Sequence, residues 1–77
     1  MFLKLRAFLT IGYLKGIVER LSRDIAADKN GTNFWLRNLH GRAARALLEA
    51  QELYDKKDYK EARLKAGLMA QSVTNAY

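Results

Sequence analysis

His40 is the only histidine in the chain, and histidine is the side chain that titrates nearest neutral pH. A metal site needs several His, Cys or carboxylate ligands converging. A general base needs an orienting partner. No carboxylate lies within one helical turn of His40, so it reads as a partly exposed helix residue. Glu49, Glu52, Asp55, Asp58 and Glu61 crowd into one stretch, as acid–base hydrolysis would require. Lys56, Lys57, Lys60, Arg63 and Lys65 interleave with them. Glu52–Lys56 and Glu61–Lys65 therefore read as solvated helix pairs at four-residue spacing. The sequence has no glycine-rich phosphate loop, nucleophile elbow or paired-acid arrangement. The expectation is a chain that is not an enzyme, with no cofactor, metal or small-molecule substrate.

The basic residues offer a second chemistry. The net charge is +6, which suits nucleic acid, an acidic protein or an anionic membrane. Arg20, Arg23, Arg37 and Arg45 could follow phosphates, and Phe34 and Trp35 could stack on bases. The arginines after residue 36 do not share one helical face, and no recognition-helix pattern is visible. Nucleic-acid binding is therefore the alternative reading, set against a plain solvated basic surface.

These residues need elements to position them. The 77 residues make one domain over 1–77, with an expected stability of roughly 4–12 kcal/mol. The chain is 49% hydrophobic, far above a disordered composition. It has no proline to break a helix and no cysteine to staple one, and the missing cysteine fits a reducing, cytoplasmic setting. No run approaches the length of a membrane span; the uncharged run near the start, Ala7–Leu14, is closed by Lys15. The opening residues resemble a signal peptide, yet no small-residue cleavage site follows, so they read as mature structure.

Periodicity predicts three helices and no strand. Over residues 2–29, Leu3, Ala7, Leu14, Val18, Leu21 and Ile25 fall on one side of a helix. Asp28 to Gly31 end it. Thr32 or Asn33 caps a second helix whose stripe is Leu36, Leu39, Ala43, Ala46, Leu47, Ala50, Leu53 and Tyr54. Gly41 interrupts that stripe, and a close backbone approach would explain it. Asp58 and Glu61 form a capping box for a third helix carrying Tyr59, Ala62, Ala66, Met69, Val73 and Ala76. Short loops make this an all-α antiparallel three-helix bundle: a long first helix and an alanine-rich hairpin.

Lys57-Asp58-Tyr59-Lys60-Glu61-Ala62 is similar to the turn and second-helix start of a tetratricopeptide unit, and Ala50 matches a small-residue position of that family. Leu53, Ala66, Met69 and the absent closing proline depart from its pattern. One unit is present where about three are needed for stability. The resemblance implies a packed helical hairpin and carries no function over.

Two features are left unspent. Phe2, Leu5, Leu9 and Tyr13 point away from the core stripe of the first helix, with Gly12 and Gly16 beside them. A surface helix has one apolar face; this one has two. The Gly12–Gly16 spacing lets helix backbones cross closely. A membrane-surface role, with Lys4, Arg6 and Lys15 at headgroups, is the weaker use of that face. Length arithmetic gives the second feature. The third helix is too short to cover the others, so Leu21, Ile25, Phe34, Trp35, Leu36 and Leu39 either close under a Trp35 lid or form a binding patch. The expected function is a helical protein–protein interaction module, as a homo-oligomer or on a larger partner protein. Its interface would comprise Phe2, Leu5, Leu9, Gly12, Tyr13, Gly16, Phe34 and Trp35.

Overall fold

A computed structural model describes residues 2–28 and 33–76. Helix α1 runs Phe2–Ala27, α2 runs Phe34–Asp55 and α3 runs Tyr59–Ala76. No strand occurs among the described residues. Every helix packs on the other two, and α2 runs antiparallel to both neighbours. The bundle is slender, 46 × 20 × 14 Å between its Cα extremes.

The slenderness follows from the residues inside. Ala7, Ala43, Ala50, Ala62, Ala66 and Ala70 are buried alongside Leu14, Leu21, Leu36, Leu39 and Val73. Among the described residues only Leu14 and Leu21 are large side chains with essentially no exposure. Alanine lets helices approach closely, and close helices leave little room for anything bulkier. The expected stripes hold at their centres and fail at their ends. Leu3 is 39% exposed, because it lies beyond the level where Tyr54 and Tyr59 meet α1. Ala76 is exposed in the last turn of α3. Ala70 is buried instead, since α3 packs on two helices and needs a wider apolar face than one stripe.

The α2–α3 turn is a Schellman motif rather than a full capping box. The Asp58 amide donates to the Leu53 carbonyl at 2.9 Å, and the Lys57 amide donates to Tyr54 at 2.9 Å. Asp58 Oδ1 accepts from the Glu61 amide at 3.4 Å. The Asp58 amide is thereby already spent, and the reciprocal bond from Glu61 is not made. Lys57 carries the motif's positive φ of 68°, where a Cβ is unfavourable and glycine is usual. Lys57→Gly should raise stability by roughly 0.5–1 kcal/mol. A urea midpoint that stays level or falls would refute that strain.

At the other junction Asn33 caps α2, its Oδ1 accepting from the Leu36 amide at 3.0 Å. The Asn33 amide donates to Asp28 Oδ2 at 3.2 Å, tying the end of α1 to the start of α2. The cap options at Lys29 to Thr32 lie outside the described residues. Gly41 needs a different explanation from the one its position suggested. A Cβ there would meet nothing within 4 Å, so no close approach requires it, and nothing in the fold explains it. At Gly67 an added Cβ would stand 3.7 Å from the Thr10 methyl on α1, an ordinary van der Waals contact.

Candidate interaction surface

Steps of three and four residues place Phe2, Leu5, Leu9, Gly12 and Gly16 along one line of α1. Ala7, Leu14 and Leu21 lie on the buried side, so that line faces away from the bundle. Phe2 is 82% exposed, Leu5 56%, and Leu9 and Tyr13 60% each. Gly12 and Gly16 are exposed too, and a Cβ at either would meet nothing within 4 Å. Neither glycine serves contact within the bundle. Each costs about 1 kcal/mol relative to alanine in a helix interior.

Both edges of this line run into grooves. On the α2 side, Phe8, Ile11, Gly12 and Lys15 line a groove of about 370 Å³ with Tyr54. The Phe8 ring lies 6.4 Å from that of Tyr54, which meets Tyr59 edge-on at 5.1 Å. Lys4 Nζ sits 5.9 Å from the Tyr59 ring centre, a cation–π contact that steadies the start of α1. On the α3 side, Tyr13, Ile17 and Arg20 border a groove of about 430 Å³ with Val73 and Thr74.

Phe8 is 60% exposed and belongs with this surface, though its sequence position falls between the two stripes of α1. Leu48, Leu64 and Leu68 are also exposed without having stood out in the sequence. Leu64 and Leu68 share the outer face of α3 at four-residue spacing, a signal the heptad reading of the core obscured.

Phe34 and Trp35 do not join the α1 surface. They begin α2, which runs antiparallel to α1, so they sit at the opposite end of the molecule from Phe2 and Leu5. Leu21, Leu36 and Leu39 are buried and close that end. Phe34 is 78% exposed and Trp35 52%, too open for Trp35 to be a lid over the core.

The four arginines of the nucleic-acid reading are exposed. Arg20 stands beside the C-terminal part of α3, while Arg45 borders the α2–α3 groove with Glu49. The carboxylate cluster is spread along two helices. Lys65 turns from Glu61 to pair with Glu49 across the α2–α3 interface. Its hydrogen bond and charge hold the Glu49 carboxyl below its ordinary pKa. Glu52 and Lys56 do not close an ion pair, although the Lys56 amide still donates to the Glu52 carbonyl at 3.1 Å. His40 is half-buried on α2. Among the described residues no three His, Asp or Glu side chains gather as metal ligands would, and no helix is long and apolar enough to cross a membrane. Comparison with known proteins gives no match, whether to a family model, a curated protein or a solved structure.

Proposed function

We propose that this chain is a small helical protein–protein interaction module that docks through the outward face of α1. The observation that carries this is the pair Gly12 and Gly16, set in a line with exposed Phe2, Leu5 and Leu9. Glycines weaken a helix, and these two relieve no crowding inside the molecule. Their use is external: they let another helix backbone come close while the bulky residues fill its grooves. Exposed apolar surface of this kind marks a contact site.

The test compares two faces of one protein. The double variant Leu5→Glu plus Leu9→Glu alters α1, and Leu64→Glu plus Leu68→Glu alters α3. All four positions are exposed, so helical content should survive in both. Immobilised wild-type, α1-variant and α3-variant chains are compared by affinity capture with mass spectrometry, alongside light scattering of each. The α1 variant should lose the contacts that the α3 variant keeps. Identical capture and mass for the wild type and the α1 variant would defeat the reading.

A further inference from the structure

Phe2, Leu5, Leu9, Gly12 and Gly16 follow the alternating spacing of a coiled-coil seam. The seam is graded: its first half is bulky and its second half bare. We infer that its occupant is a second copy of this chain, with the two α1 helices antiparallel. The inference rests on the docking role proposed for α1 and names the partner.

An antiparallel pair brings the bulky half of one seam onto the bare half of the other. Setting Leu9 over the partner's Gly12 places Leu5 over the partner's Gly16, and the two-fold axis makes each contact twice. Each projecting leucine then fills the space a missing side chain leaves. A parallel pair does the opposite, stacking leucine on leucine and glycine on glycine with a gap between.

Residues 2–18 contain Lys4, Arg6 and Lys15 and no carboxylate, and in this register Arg6 lies level with the partner's Lys15, so the two chains repel one another. Phe8 and Tyr13, each 60% exposed, flank the seam and widen its apolar contact. A lipid surface would also accept the leucines and lysines, but Gly12 and Gly16 add nothing to a helix lying in lipid. The interface is small, so the association should be weak, with a Kd on the order of 10–100 µM.

Sedimentation equilibrium of the whole chain tests this. A reversible dimer is expected, strengthening as salt rises from about 0.05 to 0.5 M, because two chains of like charge repel and salt screens them. Gly12→Leu and Leu5→Glu should each leave a monomer with unchanged circular dichroism. Gly12→Ala should raise the urea midpoint of the monomer while weakening the dimer by about tenfold. That opposition of signs separates an interface glycine from a merely tolerated one.

A wild-type chain that stays monomeric at about 1 mM overturns the second copy. So does a dimer that survives Leu5→Glu. So does salt-sensitive sedimentation with phosphatidylserine vesicles by a chain that does not self-associate. If the wild type is monomeric and the α1 variant still loses captured proteins, the docking role stands and only this occupant falls. If that variant changes nothing, both fall.

Discussion

Leu14→Ala is expected to lower the unfolding free energy by about 2–5 kcal/mol, a large share of what a chain this size possesses. Among the described residues Leu14 is one of two large side chains with essentially no exposure, in a core shared with Ala43, Ala50, Ala66 and Ala70 as well as Leu21, Leu36, Leu39 and Val73. Its truncation removes buried carbons and leaves a cavity that alanine methyls cannot fill. The comparison is Leu9→Ala on the same helix, where 60% exposure predicts a change within about 0.5 kcal/mol. Urea unfolding of both variants decides it. A Leu14 effect no greater than that of Leu9 would mean that the core is not where the burial places it.

The contrast between those two leucines was legible before any coordinates, because it depends only on the repeat. Ala7, Leu14 and Leu21 recur every seven residues, and Leu9 stands away from them. The same arithmetic separated the bare line of Phe2, Leu5, Leu9, Gly12 and Gly16. What periodicity could not supply is width and distance. It assigns a residue to a stripe but not to an edge, so Phe8 escaped it. It also cannot say how many neighbours a helix has, which is why Ala70 on α3 was missed. Lys65 has two carboxylates in range, Glu61 on its own helix and Glu49 on the next. Only the closeness of α2 and α3 decides for Glu49. Gly41 and Gly67 look alike in sequence, yet a Cβ at Gly67 would touch Thr10 on α1 and one at Gly41 would touch nothing. At the surface, the sequence marked which residues were surplus, and the fold added that Phe34 and Trp35 lie too far from Leu5 to share a contact with it.

Ala66→Leu should destabilise the bundle by about 1–3 kcal/mol, although it adds apolar surface to an apolar place. Ala66 is fully buried on α3, within the same core as Ala43, Ala50 and Ala70. Burying the added carbons would stabilise by about 1.5–3 kcal/mol if space existed for them. In an alanine-packed interior the new side chain must instead push α3 from its neighbours or leave its preferred rotamer. The prediction is thus one of sign. Leu68→Ala supplies the control: Leu68 is 66% exposed on the same helix, and its truncation should change stability by less than about 0.5 kcal/mol. If Ala66→Leu were stabilising, the helices would have room to spare, and the bulky residues outside could have been accommodated within. If it destabilises as expected, the interior is filled by alanine to the limit of helix approach. The leucines and aromatics of α1 are then outside because the bundle has no room for them. They can be covered only by another molecule, which is the condition the docking role of α1 requires.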